Sequence, residues 1–394
     1  MQLHEQLALD LRSLVVFRNL LQDEVVLRLC LLLESAELSP SLRVARYSDF
    51  MASLLRHGEN LTDYLKHRVC HDDNQYIRLI AQGKQAGDTL RACTYEELKK
   101  LERISQLSSK DICSSLGYAG YLPGWKTTAD NLTAAFDQAL GEVHIRGYGM
   151  FSEHTMFTFK DGVLHPISYP DSIRLGDLYG YEAQRDEVIR NTHALVLGKP
   201  AANTLLYGDA GTGKSSTVKA LVNEYAHKGL RLIELTKKQL HEIPDIISQL
   251  SDNPLKFILF IDDLSFTTVG DDFNTLKAVL EGSASARSAN FAIYATSNRR
   301  HLIKERFSDR DGDDIHRNET MQELCSLSDR FGLSIGFYKP DKQQYLNLVL
   351  ALKNRHVIEI EDAVLFLEAE RFATMRGGRS PRAATQFIAQ LINE

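Results

Sequence analysis

Along residues 1–105, apolar side chains recur at helical spacing. Leu7, Leu11, Leu14 and Val15 form one stripe, and Leu20, Leu21, Val25, Leu29, Leu32 and Leu33 form a second. That period belongs to amphipathic helices. Ser39-Pro40 interrupts it, a further helix is predicted over 42–56, and shorter ones follow. Thr94 with Glu97 three positions on has the form of a capping box, which predicts a helix start there. Residues 1–105 are expected to be a helical N-terminal domain. Its stripes supply core, and a face among them is available for a partner.

The pattern then weakens. Residues 106–170 are rich in Gly, Ser, Tyr and Thr, and are expected to form an irregular or small β connection. Trp125 beside Pro123-Gly124 is expected to be a packing anchor rather than a ligand platform. Asp161-Gly162 between Phe157-Thr158-Phe159 and Val163-Leu164 predicts a hairpin turn.

From Arg174 short apolar runs alternate with helical stripes. Strands are predicted at 204–207, 231–235, 256–261, 291–295 and 333–337. Helices are predicted at 182–197, 216–226, 243–250 and 273–284. The run Phe257-Ile258-Leu259-Phe260-Ile261 is continuously apolar, as a parallel strand buried on both faces requires. Alternation of this kind implies βαβ units and a parallel sheet with helices on both faces. After Pro340-Asp341 the strands stop, and three helices are predicted over 343–352, 361–374 and 382–392. The domains are therefore read as 1–105 helical, 106–170 connection, 171–339 α/β, and 340–394 a helical lid.

Composition narrows the class without naming it. The chain has 394 residues, 25% of them charged and 43% hydrophobic, as in ordinary globular proteins. A net charge of −6 argues against a broadly basic, nucleic-acid-coating surface. The five cysteines are scattered with no C-x-x-C pair, so free thiols in a reducing compartment are expected. Cys70 beside His71 lacks a second ligand pair and is read as packing. No signal peptide is visible at the start, and the most apolar run, 25–33, carries Arg28 and is too short to span a bilayer. A cytoplasmic protein without a membrane anchor is expected.

The candidate chemistry centres on Gly208-Asp209-Ala210-Gly211-Thr212-Gly213-Lys214-Ser215, which fits G-x-x-x-x-G-K-[ST]. It lies between a predicted strand and a predicted helix, the context this phosphate-binding loop needs. Backbone N–H groups and the helix N-terminus would cradle phosphates, with Ser216 continuing the first turn. Lys214 would reach the β- and γ-phosphates, and Ser215 would hold Mg2+. The apolar strand ending in Asp262-Asp263 is the expected companion of such a loop. Asp262 would orient Mg2+ and Asp263 would polarise the attacking water. Asn298, at the end of the next strand, would bond the water or the γ-phosphate. Residues 304–323 are polar and charged and are read as an insertion near the nucleotide. Within it, 309–314 superficially has a Ca2+-loop look, but its Gly falls too early and the closing Glu is missing.

With these residues in place, the segment 174–394 resembles an AAA+ ATPase module. Asp262 matches the Walker B aspartate and Asn298 matches sensor 1. Arg330, in Ser328-Asp329-Arg330-Phe331, resembles the arginine finger that reaches a neighbouring subunit's γ-phosphate. Arg382 resembles the lid's sensor 2 arginine, with Arg379 as the alternative. Tyr179-Gly180-Tyr181 resembles the segment that lies over adenine. The runs 208–221 and 293–302 resemble one bacterial family of predicted ATPases with a domain of unknown function. One departure is Asp263, where AAA+ proteins usually carry Glu; an Asp is one methylene shorter, which implies slower water activation.

The resemblance implies ATP and Mg2+ as ligands and a homo-oligomer, a hexamer by family analogy. It implies hydrolysis coupled to remodelling or loading of a protein or nucleic-acid target recruited by the N-terminal helices. A slow, nucleotide-gated switch or binding module is the alternative. A small-molecule kinase is a third reading, and no acceptor pocket is marked for it. Arg330 as a surface ion pair, and Arg299 and Arg300 at a subunit boundary or on nucleic acid, also remain open.

Overall fold

The computed structural model describes residues 3–266, 271–281, 290–298 and 330–393. The chain divides into two compact units, 1–153 and 154–394.

The first unit is helical throughout. Its helices are α1 (Leu3–Arg12), α2 (Glu24–Leu33), α3 (Pro40–Leu55), α4 (Leu61–Cys70), α5 (Gln75–Ala81) and α6 (Asp88–Ser105). They continue as α7 (Ser109–Ser115), α8 (Leu132–Gly141), α9 (Val143–Arg146) and α10 (Met150–Glu153). Side-chain caps start several of them. Asp23 accepts from the N–H groups of Val25 and Val26, Asn60 from Thr62 and Asp63, and Asn131 from Ala134. Phe17, Phe50 and Leu101 lie fully buried in a single core.

Two expectations are corrected in this unit. Residues 106–153 are not an irregular connection but the last part of the helical unit. Three of their helices have only seven, four and four residues, too short to show a periodic stripe. Trp125 ties them in: its ring sits edge-on to Phe50 at 5.1 Å, and its indole N–H donates to the Leu107 carbonyl at 2.7 Å.

The second correction concerns Thr94 and Glu97. The helix starts at Asp88, so Thr94 is inside it and its hydroxyl donates to the Leu90 carbonyl. Glu97 is 2% exposed and accepts the backbone N–H groups of Val15, Val16 and Phe17 at 2.7, 3.1 and 3.0 Å. The carboxylate thus replaces a turn of hydrogen bonds after α1. Glu97→Ala strands these donors, and we expect it to lower stability by about 3 kcal/mol, since each unsatisfied buried group costs roughly 1–3 kcal/mol. Urea unfolding measures this; a midpoint equal to wild type would remove the carboxylate from the stability account.

Among the described residues, the second unit holds a seven-stranded sheet. Its strands are β1 (Met156–Lys160), β2 (Val163–Pro166), β3 (Thr204–Gly208), β4 (Leu230–Leu235), β5 (Lys256–Ile261), β6 (Phe291–Ser297) and β7 (Leu333–Phe337). The order is β2-β1-β4-β5-β6-β3-β7, with only β1–β2 antiparallel. The hairpin turn is the one the sequence predicts, with positive φ at both Asp161 and Gly162. The hairpin is not a free connection, however. Met156, Phe157 and Thr158 pair in parallel with Leu232, Ile233 and Glu234, so it extends the α/β sheet.

Helices α11 (Glu182–Val196), α12 (Lys214–Tyr225), α13 (Ile243–Leu250) and α14 (Asp271–Glu281) connect the strands. One strand face, including Leu206, Ile258, Phe260 and Tyr294, packs with Val188 of α11 and Val218 of α12. Positions of the other parity, such as Leu205, Ile233 and Leu259, are equally buried, so both faces are covered. Helices α15 (Lys342–His356), α16 (Asp362–Met375) and α17 (Pro381–Asn393) follow β7 and share their own core around Tyr345, Leu365 and Phe372. Among the described residues, no helix is long and apolar enough to cross a membrane.

Candidate nucleotide site

β3 lies between β6 and β7, so the loop after it emerges in the interior of the sheet, at its carboxyl edge. Crevices of this kind are where open α/β sheets bind ligands. Gly208 has φ 126, and a Cβ there would lie 2.1 Å from the Phe337 carbonyl oxygen, so no other residue fits. The Asp209 N–H donates to that same carbonyl at 2.9 Å. Gly211 has φ 78, and a Cβ on it would come within 3.2 Å of Arg382 Cβ. The Thr212 hydroxyl donates to the Asp209 carbonyl at 2.8 Å, which closes the loop. Ala210 is exposed at the tip, Gly213 precedes α12, and Ser215 and Ser216 are half-buried in its first turn. The loop thus ends on a helix N-terminus, where anions are stabilised.

Lys214 is 7% exposed. Its ammonium donates to the carbonyls of Gly208 and Asp209 at 2.9 and 2.7 Å and to Asn298 Oδ1 at 3.3 Å. Burial pulls its pKa below the usual lysine value, and the carboxylates of Asp209, Asp262 and Asp263 oppose that shift. The charge is held on exchangeable carbonyl partners at the mouth of the loop.

The acidic strand end is strongly ordered. Asp262 Oδ1 accepts from the Ser215 hydroxyl at 2.6 Å, the Thr296 hydroxyl at 2.5 Å and the Asp263 N–H at 3.1 Å. Among the described residues no donor reaches its other oxygen. Asp263 has φ 52, a left-handed conformation that is uncommon for a residue with a side chain. It turns the carboxylate towards Asn298, whose Nδ2 donates to Asp263 Oδ1 at 2.9 Å. Asn298 therefore bridges Lys214 and Asp263. Thr296 is the residue that sequence reasoning missed. Its hydroxyl also accepts the Asp263 N–H at 2.9 Å, so it sets both aspartates at once. Its place two residues before Asn298, on the strand beside β5, was the available signal.

Of the three residues in the Tyr179-Gly180-Tyr181 segment, Tyr181 faces β7. Its ring lies 5.3 Å from Phe337 at 30°, and its hydroxyl donates to the Tyr338 carbonyl. Burial, and then the Asp209 carboxylate, pushes its pKa up to about 12. Gly180 lies against Leu348 of α15, and Tyr179 packs on the core of the C-terminal helices. The two lid arginines separate clearly. Arg379 is committed to Glu370 through hydrogen bonds of 2.8 and 2.6 Å. Arg382 is exposed, forms no ion pair among the described residues, and donates its backbone N–H to the Gly211 carbonyl at 3.2 Å.

Arg330 stands apart from this cluster. It precedes β7, whose Leu333 pairs with Thr204 at the start of β3, while Phe337 pairs with Gly208. It makes an ion pair with Glu281 at the end of α14. Arg299, Arg300 and the 304–323 segment lie outside the described residues.

The donor set fits a magnesium nucleotide. The loop supplies anion-facing N–H groups, and Ser215 with the open oxygen of Asp262 supplies hard oxygen ligands. Among the described residues no cluster of His, Cys, Asp and Glu could hold a metal alone. A cation here would share the substrate's phosphate oxygens, as Mg2+ does.

The fold and the site define a P-loop module: a largely parallel sheet carrying the loop on an interior strand, followed by a helical C-terminal region. Residues 152–394 match a family described as "Protein of unknown function (DUF815)", and the chain belongs to that family. No curated protein matched the chain. Among solved structures, RuvB from Thermotoga maritima, described as a Holliday junction branch migration motor, is similar at 16% identity and a TM-score of 0.38. That match covers 56% of this chain and 64% of RuvB. Two single-residue variants of RuvB match at 17% and 16% identity, each with a TM-score of 0.39. They cover 56% and 57% of this chain and 64% and 65% of theirs, so it spans less than two thirds of their length.

Proposed function

We propose that this protein binds Mg-ATP at residues 208–215, hydrolyses it, and couples turnover to work on a macromolecular partner. One observation carries the reading: Ser215, Asp262, Thr296, Asp263, Asn298 and Lys214 form one hydrogen-bonded chain around the loop. In that chain each group has a distinct task. The loop N–H groups and Lys214 bind and orient the phosphates, with Lys214 turning from the loop carbonyls to the β- and γ-phosphates. Ser215 and, through water, Asp262 hold the cation. When bound, Mg2+ supplies charge neutralisation across the phosphate oxygens. Asp263 orients the attacking water and takes up its proton, and Asn298 fixes the direction of Asp263. Arg382 approaches the phosphates from the C-terminal helices, because Arg379 is already paired with Glu370. Tyr179, Gly180 and Tyr181 lie over the adenine.

Arg330 acts on the nucleotide of a neighbouring copy, which makes the active form a homo-oligomer, a hexamer by family analogy. The 1–153 unit recruits a protein or nucleic-acid target. The free cysteines at 30, 70, 93 and 113 fit a reducing, cytoplasmic setting.

The short Asp263, tied to Asn298, favours a second reading, a nucleotide-gated switch with slow turnover. Phosphate release measured with and without DNA separates the two. In either case Asp263→Asn is expected to retain nucleotide and to release phosphate about 10²–10⁴-fold more slowly, the usual contribution of a general base. Unchanged release by this variant would exclude Asp263 as the base.

A further inference from the structure

One peptide unit at the junction between the sheet and the C-terminal helices is gripped on both sides. The Tyr338 carbonyl accepts from the Tyr181 hydroxyl at 2.6 Å, and the Lys339 N–H donates to Asp209 Oδ2 at 2.8 Å. These two atoms belong to one planar amide, so the pair of bonds fixes its rotation about the chain. We propose that Asp209 and Tyr181 are positioning residues that clamp the Tyr338–Lys339 peptide and convert nucleotide occupancy into the angle of the C-terminal helices. This rests on the ATP-binding reading above.

Both jaws sit in segments that face the nucleotide. Asp209 is the second residue of the phosphate loop, and its own carbonyl holds Lys214 and Thr212. When Lys214 swings to a phosphate it leaves that carbonyl, so the residue that carries one jaw changes partners on binding. Tyr181 reaches the peptide from a left-handed backbone, φ 61, directly after Gly180 at φ 72. Its position depends on the turn that would cover the base.

There is little slack beyond the clamp. Pro340 is buried, and Asp341 caps α15 reciprocally with Gln344. The Lys339 ammonium also donates to the Gly377 carbonyl at 3.3 Å, so the α16–α17 connection is tied to the same residue. Rotation of a single amide therefore carries α15 and the turn before α17. The Arg382 N–H on Gly211 returns the circuit to the phosphate loop.

Hydrogen exchange on the full chain tests this, with wild type, Asp209→Ala, Asp209→Asn and Tyr181→Phe. Without nucleotide, exchange over 338–356 is expected to rise about tenfold in Asp209→Ala and Tyr181→Phe, reflecting local opening. Asp209→Asn keeps an acceptor and is expected to exchange like wild type. With Mg2+ and a non-hydrolysable ATP analogue, protection of 208–215 reports occupancy, and each variant is saturated by that signal. Wild type and Asp209→Asn should then also slow over 341–356; Asp209→Ala and Tyr181→Phe should not. Retained slowing there in both clamp variants would overturn the proposal. So would loss of all protection at 208–215, which would place these side chains in nucleotide binding itself. Absence of that protection in wild type would instead overturn the ATP reading, and the nucleotide-free comparison would still judge the clamp.

Discussion

Replacing Lys214 with alanine is expected to reduce Mg-dependent ATP turnover by about 10³-fold, close to 4 kcal/mol of lost transition-state stabilisation. The size follows from where the charge sits. The ammonium is nearly buried, desolvated, and held by two carbonyls and an amide oxygen at the mouth of the loop. Moving it to a phosphate exchanges dipoles for a full negative charge in a site shielded from water. No other cation in the described residues is placed to do this from within the loop. Circular dichroism should show the fold intact. Phosphate release in a clean preparation is the measurement, and turnover equal to wild type would remove this loop as the catalytic site.

Arg330→Ala should lower turnover by about 10²–10³-fold in the assembled protein and leave nucleotide affinity within about threefold, as for arginines acting on phosphoryl groups across an interface. The geometry is the reason the effect is expected to come from another copy. Arg330 lies seven residues before Phe337, the partner of Gly208. It therefore precedes the end of β7 that pairs with the start of β3, opposite the end from which the loop emerges. Glu281 holds the guanidinium at the opposite end of the sheet from its own loop. Mixing gives the decisive measurement. Lys214→Ala and Arg330→Ala, each strongly impaired alone, should regain part of the wild-type rate together, because the first lends its arginine to the second. No recovery in mixtures that co-assemble, or full activity of Arg330→Ala alone, would end the assignment.

Much of the α/β unit was legible because its signals are local. Gly208 to Ser215 is a contiguous motif, and a run such as Phe257 to Ile261 has few alternatives to a buried strand. The three helices after Pro340 declare themselves through their stripes. What escaped was what depends on distant partners. Glu97 looked like a cap because Thr94 stands three residues before it, but its real partners are more than 80 residues away at Val15 and Val16, and 80 away at Phe17. Thr296 carries no motif of its own and matters only because β5 and β6 run side by side. Most helices over 106–153 are too short for periodicity, and Trp125 packs among the aromatic rings of the core. In the site, only the resemblance placed Arg382 ahead of Arg379; the sequence could not show that Arg379 pairs with Glu370.

The hairpin of β1 and β2 has a practical meaning for anyone dissecting this protein. It shields β4, which would otherwise present its row of N–H and C=O groups to solvent. The outermost strand is short and ends at Pro166, which cannot donate to a further ladder. A fragment begun at residue 171 would discard that shield, bare the apolar surface under Met156 and Phe157, and offer a sticky template for neighbouring chains. The smallest excisable α/β unit is therefore set by backbone pairing and starts near residue 152, some way upstream of where the nucleotide motifs begin.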